Sequence, residues 1–336
     1  MRNFIIKRIL LGILVLLGVI TITFVVTRVV PSNPALQWVG SRATAEQIAA
    51  AEEELGLNKP IVVQLGIYLR DLAKGDMGYS LKSHRPVTDE ILEYLPATLE
   101  LVLLGTILAV ILGLALGVLT ASHKNHWQDH MGRFFSVGTV SLPTFWVAML
   151  LQLLFYSLLK LLPIGGRLSM DVQLFEQIPH VTGFLLLDSL LAGNFTVLKD
   201  VAVHIILPCL TLALYPIGTV ARMTRSALLE ILNEDYIKAA QSYGIRRKTI
   251  LWKYALKNSL GPTVTVVALS VGYTLVNTFL VESIFNWPGL GSYISDAVMN
   301  MDYPAIMGVT LFSACAYVIL NMIADIVVAL DPRVRV

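Results

Sequence analysis

The stretch "EDYIKAAQSYGIRRKTILWKYALKNS", Glu234–Ser259, is dense in charge within a chain of 336 residues that is 56% hydrophobic and only 14% charged. A soluble domain carries about a quarter charged residues, so this chain cannot cover itself with water-compatible groups and must use lipid as its solvent. One basic helical segment set between two apolar spans is then the feature to explain. The net charge of +2 implies no nucleic-acid partner, because the basic residues are spread over short loops and form no patch. Cys209 and Cys315 both sit in apolar runs, which leaves neither a disulfide framework nor a cysteine metal site.

A bilayer-spanning helix needs about 20 mostly apolar residues. Six segments qualify: Ile9–Val30, Ala97–Ala121, Phe134–Leu159, Val201–Ala221, Gly261–Val281 and Pro304–Leu330. The first lacks an A-x-A-like cleavage site and reads as an uncleaved membrane helix rather than a signal peptide. "FLLLDSLLAGNF", Phe184–Phe195, is too short to cross and reads as an interfacial or packed-in helix. Lys and Arg gather at Arg2, Lys7, Arg8, Lys124, Arg133, from Arg222 to Lys257, and at Arg333 and Arg335. The loop from Glu282 to Tyr303 has none. The positive-inside rule therefore places both termini in the cytoplasm.

The chain divides into 1–30, an N-terminal end and first span; 31–96, an extracytoplasmic loop domain; and 97–336, a five-helix core containing the loop 222–260. Within 31–96, "TAEQIAAAEEELG" predicts a helix capped by Thr44 and stopped at Gly56. "NKPIVVQLGIYLRDLAKG" predicts a second, ending at Gly75. These two small helices either touch an external partner or shield the outer ends of the spans.

Several chemistries have no carrier here. No Gly-Lys dipeptide occurs, so there is no phosphate-cradling P-loop, and neither H-E-x-x-H nor G-x-S-x-G is present. In "HKNHWQDH", His123, His126 and His130 would share a face on a helix, as a metal site would want. The alternative is an ordinary interfacial loop, and no metal is expected. The spans are nearly free of charge, with Glu100 and Glu282 near their outer ends, Asp325 near the inner end of the last, and His204 alone in an apolar run. Without a midplane ion relay, the energy for any transport must come from outside this chain.

In the opening stretch, Glu234 and Asp235 suit a helix N-terminus, and Gly244 breaks the helix. A second basic amphipathic run follows from Lys248 to Leu260. Ala239 and Ala240 beside a glycine turn suit a helix docked in a protein groove, whereas anionic lipid would hold a basic interfacial helix with bulkier apolar groups.

This segment resembles the coupling loop of ABC-transporter permeases, whose pattern is E-A-A, three residues, Gly, nine residues, I-x-L-P. Ala239, Ala240 and Gly244 fit; Lys238 stands in place of the Glu and Tyr254–Lys257 in place of I-x-L-P. "YALKNSLGP", Tyr254–Pro262, resembles the variant of the dipeptide and oligopeptide permeases. So do "RMTRSALLEILNEDYIKAA" (Arg222–Ala240), "ESIFNWPGLG" (Glu282–Gly291), "LPATLEL" (Leu95–Leu101), "GDMGYSL" (Gly75–Leu81), "ELGLNKP" (Glu54–Pro60) and "LDPRVR" (Leu330–Arg335). The order matches the B-type permease of that family, and "TGFLLLDSLLAGN", Thr182–Asn194, is similar to its dipeptide branch.

The resemblance implies an all-α integral membrane protein of the type I ABC importer permease fold, with six transmembrane helices and a small helical extracytoplasmic domain. It implies a transport subunit, not an enzyme, with no cofactor of its own; ATP and Mg would sit on two cytoplasmic ABC ATPases. A second homologous permease and an extracytoplasmic solute-binding protein would complete the importer in a bacterial or archaeal inner membrane. The ATPase-coupling residues would be Glu234, Asp235, Tyr236, Ala239, Ala240, Tyr243, Gly244, Arg246 and Arg247.

Pro288, Gly289 and Gly291 interrupt the backbone directly after a span, and irregular backbone at membrane depth survives only when buried in protein or lining water. Glu282, Phe285, Trp287, Pro288 and Gly289 are therefore expected to form an outer gate, with Asn277 on the pathway beside Ser141, Thr144 and Asn321. The alternative for Trp287 is an interfacial anchor. Dipeptides or short oligopeptides are the expected cargo. Nickel, glutathione or an oligosaccharide on the same architecture, or an ion-coupled transporter acting alone, are the rival readings.

Overall fold

The structure, a computed structural model, describes residues 2–29, 34–40, 42–178 and 180–329. The tail motif Leu330–Arg335 and the expected boundary at Val30 and Pro31 lie outside them. In chain order the helices are α1 (Arg2–Val29), α2 (Pro34–Val39), α3 (Ala45–Glu54), α4 (Ile61–Leu72), α5 (Val87–Ser122), α6 (Trp127–Ser141) and α7 (Thr144–Leu151). They continue as α8 (Met170–Phe175), α9 (Leu185–Leu191), α10 (Phe195–His204), α11 (Ile206–Leu232), α12 (Asp235–Ser242), α13 (Arg247–Thr249), α14 (Lys257–Phe285), α15 (Leu290–Met299) and α16 (Tyr303–Ala329). Wider π-type turns carry the chain on from α7 over Gln152–Leu158 and into α14 over Ile250–Leu256. Among the described residues there is no strand, only an isolated bridge between Tyr79 and Pro86.

Among the described residues, five helices are long and apolar enough to cross a membrane: Ile6–Thr27, Val87–Ser122, Ile206–Leu232, Arg247–Phe285 and Tyr303–Ile326. The expected third span, Phe134–Leu159, is not a straight helix. It is the pair Trp127–Ser141 and Thr144–Leu158, bent by 108°. Pro143 explains the break: it lacks an N–H and forces Leu142 into extended backbone, ψ 134°. The second basic run is also not a separate surface helix. Nothing between Lys248 and Leu260 breaks a helix, so it runs on into the span. α5, at 36 residues, is about 54 Å long and outreaches the roughly 30 Å hydrocarbon core.

The chain forms two compact units, Met1–Thr98 with Pro288–Val318, and Leu99–Trp287 with Ile319–Val336. They part at 98/99, 287/288 and 318/319.

In the first unit, Thr44 caps α3 through a reciprocal box with Gln47. Gly56 (φ +64°) and Gly75 (φ +84°) follow α3 and α4 in left-handed backbone, where glycine is favoured. Both small helices thus stand where the sequence places them. The core joins Val87 and Ile91 of α5 to Leu290, Tyr293 and Ala297 of α15 and Ala305 and Val309 of α16. Its buried polar groups are paired: the Tyr293 hydroxyl donates to Glu90 (2.5 Å) and the Ser80 hydroxyl to Asp302 (2.5 Å).

In the second unit, α5 lies against α11 at Gly113 and Gly117. A Cβ on Gly113 would meet Val220 at 2.7 Å, and one on Gly117 would meet Thr224 at 2.6 Å. This is the close approach that small residues four apart permit. Below it, Arg225 of α11 donates through Nε (2.6 Å) and Nη2 (2.8 Å) to the buried Asp129 of α6. The interruption at Asp188 in "FLLLDSLL" is structural. Its buried carboxylate accepts from the backbone N–H groups of Val181, Thr182 and Gly183 and from the Thr182 hydroxyl.

Candidate coupling surface and pathway segment

α11 ends at Leu232 with Asn233 as its cap, and Glu234 adopts extended backbone (ψ 148°) ahead of α12. Asp235 in the first turn suits the positive helix end. α12 has two faces. Ile237 and Ala240 are buried with Val118 and Ala121 of α5, Leu228 of α11, and Ile250 and Ala255. Tyr236, Ala239 and Tyr243, spaced three and four apart, form the exposed face, with Tyr243 at 87% exposure. Ala240, expected to touch a partner, is instead 8% exposed. It seats the helix on this chain's own core.

Gly244 ends α12 as a Schellman cap. Its φ is +72°, its N–H donates to Gln241 (2.9 Å), and the Ile245 N–H donates to Ala240 (3.2 Å). A Cβ there would meet nothing within 4 Å, so the glycine is required by backbone conformation and not by crowding within this chain. Lys238, where the permease pattern has Glu, pairs with Asp235 at 2.8 Å on an exposed surface, a contact of small energetic weight. Arg246 is exposed. Arg247 turns back and donates from Nη2 to the Ser122 carbonyl at the end of α5 (2.7 Å). A cavity of about 310 Å³ lies beside it, lined by Ser122, Leu232, Gln241, Ile245, Arg247, Ile250 and Leu251. α12 is therefore fixed rigidly on one side and open on the other.

The His123, His126 and His130 imidazoles do not share a helix face, because Asn125 (φ +64°) breaks the chain between α5 and α6. His123 and His126 hydrogen-bond the carbonyls of Leu119 and Lys124, and His130 meets Arg133. Among the described residues no group of three or more His, Cys, Asp or Glu could hold a metal ion.

At the other end of α14, Glu282, Phe285 and Trp287 are fully buried, and all three belong to the second unit. Asn286 (φ +49°) turns the chain, and the Trp287 N–H donates to the Glu282 carbonyl (2.9 Å). Pro288 is exposed, and Gly289 is the buried cap of α15; both belong to the first unit. The five expected gate residues are thus divided between the units. Asn277 lies further along α14, donating to the Tyr273 carbonyl (2.9 Å). The Tyr273 ring stacks on Tyr215 at 4.0 Å.

Two groups went unread in the sequence. Arg167 donates from Nη2 to Glu100 (2.5 Å) and to the Gly183 carbonyl (2.7 Å), and lies 5.7 Å from the Trp287 ring centre. The Asp129–Arg225 pair is the other. Their only signal was an ionisable residue beside an apolar run; the partners are distant in sequence.

This helical membrane core carries a docked-and-open helix after its fourth apolar run, and known proteins share the arrangement in sequence. Residues 113–336 match the model of the binding-protein-dependent transport system inner membrane component. Residues 1–102 match the N-terminal membrane-component model of such systems. The chain is 41% identical to the probable D,D-dipeptide transport system permease protein of Escherichia coli (strain K12), over 96% of this chain and 94% of that one. It is 39% identical to a dipeptide transport system permease protein of Alkalihalophilus pseudofirmus, over 98% of each. It is 33% identical to a glutathione transport system permease protein of Salmonella typhimurium, over 100% and 99%. Such proteins are membrane subunits of ABC importers, whose ATP is hydrolysed by separate subunits. The chain is a multi-pass permease subunit with the type I ABC importer fold, and it belongs to the family of binding-protein-dependent transport system inner membrane components.

Proposed function

We propose that this permease forms half of the translocation pathway of a dipeptide importer, paired with a second, homologous permease. Two cytoplasmic ATPases carry the ATP and Mg, and an extracytoplasmic binding protein delivers cargo to the outer side, where 31–96 forms the loop domain. Both termini are cytoplasmic, in the inner membrane of a bacterium or archaeon. The observation that carries the coupling role is the two-faced α12. Its inner face is locked into the core by Ile237 and Ala240, and its outer face presents Tyr236, Ala239 and Tyr243. A helix so mounted transmits a push as a rigid body. Glu234, Asp235 and Arg246 surround the contact face, Gly244 sets where the helix ends, and Arg247 ties it to α5.

Phe285 and Trp287, buried at the outer end of α14, are the gate plugs, with Glu282 beneath them and Pro288 and Gly289 leading out of the span. Relatives named for dipeptide transport, at 39–41% identity, support dipeptide cargo over glutathione, whose permease stands at 33%. The test is uptake of a labelled dipeptide by the assembled complex in proteoliposomes. ATP-dependent uptake, competed by unlabelled dipeptides and not by glutathione, nickel or oligosaccharide, supports this reading. Uptake by the permease without ATPases would point to the ion-coupled alternative.

A further inference from the structure

Residues 160–169, between the bent pair and α8, are registered on the end of α14 by several backbone contacts. Gly165 lies flush against the Phe285 carbonyl, leaving no room for a Cβ. The Gly166 N–H donates to that same carbonyl (2.7 Å). Gln152 donates to the carbonyls of Ile164 (2.8 Å) and Ile284 (3.2 Å). Arg167, in the same segment, then reaches three further places: Glu100 on α5, the Gly183 carbonyl, and the face of Trp287. The second Glu100 oxygen accepts from the Leu186 N–H (2.8 Å) at the start of α9. One cation thereby joins α5, the 160–169 segment, the turn before α9 and the residues after α14.

We propose that Arg167 is a positioning residue for transport, a latch whose guanidinium, held by Glu100, keeps Trp287 and Phe285 in place. The proposal rests on the gate reading above. Three features favour a latch over a permanent strut. The ion pair is shielded from water, with side-chain exposures of 16% and 3%, where an apolar pair would hold a static core at least as well. Arg167 Nε is buried and has no hydrogen-bond partner among the described residues, so the guanidinium is not fully satisfied by them, as a group that changes partners would be. A cation within about 6 Å of an indole ring attracts it with a strength that grows as water is excluded, so breaking the Glu100 pair also alters the hold on Trp287.

The test uses the complete importer in lipid nanodiscs and proteoliposomes. Glu100→Gln removes the charge but keeps an oxygen for the Leu186 N–H. Arg167→Lys keeps the charge but loses the planar fork. Acrylamide quenching of Trp287 is read as the difference between each background and the same background carrying Trp287→Phe, alongside cargo moved per ATP. The latch predicts at least a threefold rise in Trp287 quenching and a fivefold or greater fall in cargo per ATP for Glu100→Gln, with smaller changes for Arg167→Lys. Unchanged quenching overturns the latch whatever the gate does. Raised quenching with unchanged cargo per ATP overturns it through the gate reading. If Glu100→Gln fails to assemble, Arg167→Lys carries the same two readouts.

Discussion

Ala239 and Ala240 are neighbours that face opposite ways, so one substitution made at each separates docking from folding. Ala240 lies in a filled core with Ile237, Leu228 and Ala255. A Trp there overpacks that core at about 1–3 kcal/mol, read as a lower melting temperature of the permease in detergent. Ala239 is exposed, and exchanging Ala for Trp on an open helix face costs at most about 0.7 kcal/mol. Its indole would instead fill the surface assigned to the ATPase. A tenfold loss of ATPase from the co-purified complex, equivalent to about 1.4 kcal/mol, is expected for Ala239→Trp with the melting temperature nearly unchanged. Both quantities come from one preparation, by densitometry of the pull-down and a thermal melt. Full ATPase retention by Ala239→Trp would refute the assignment of the outer face, and an unshifted melt for Ala240→Trp would refute that of the inner one.

Gly244→Ala meets no steric obstacle but must hold φ +72°; about 1 kcal/mol of permease stability should be lost, measured by thermal melt. Asp129→Ala leaves Arg225 facing an emptied site and should cost about 3 kcal/mol, whereas Arg225→Met with Asp129→Leu should recover most of that stability in a double-mutant cycle. Asp188 gives a pH signature. Burial, the largest single influence, favours its protonated form, but the hydrogen bonds from Thr182, Val181 and Gly183 together hold the carboxyl below the usual range. The contribution is therefore present above about pH 3.9, the unfolded value, and is lost as pH falls through the lower folded value. Melts of wild type against Asp188→Asn should differ by about 2 kcal/mol at pH 7 and converge in strong acid; a gap that persists in acid contradicts this.

Length and hydrophobicity made the membrane helices legible, because lipid leaves few ways to satisfy a backbone. Thr44, Gly56 and Gly75 mark α3 and α4 for the same local reason: caps depend on a few adjacent residues. The break at Pro143 is equally local, but the hydropathy runs on unbroken through it and hides it. What could not be read was long-range. Arg167 finds Glu100 across 67 positions and Arg225 finds Asp129 across 96, and no spacing rule links them. In the coupling segment, the Ala-Ala pair and the glycine marked the place. Which alanine faces outward follows only from where Ile237 points.

If the exposed face of α12 meets the ATPase, Tyr243, 87% exposed, lies at the contact. A photo-crosslinking amino acid at position 243, irradiated in native membranes with the importer assembled, should give one adduct of the combined mass of permease and ATPase, altered in yield by ATP. An adduct to lipid or to the second permease, with none to the ATPase, would contradict the account.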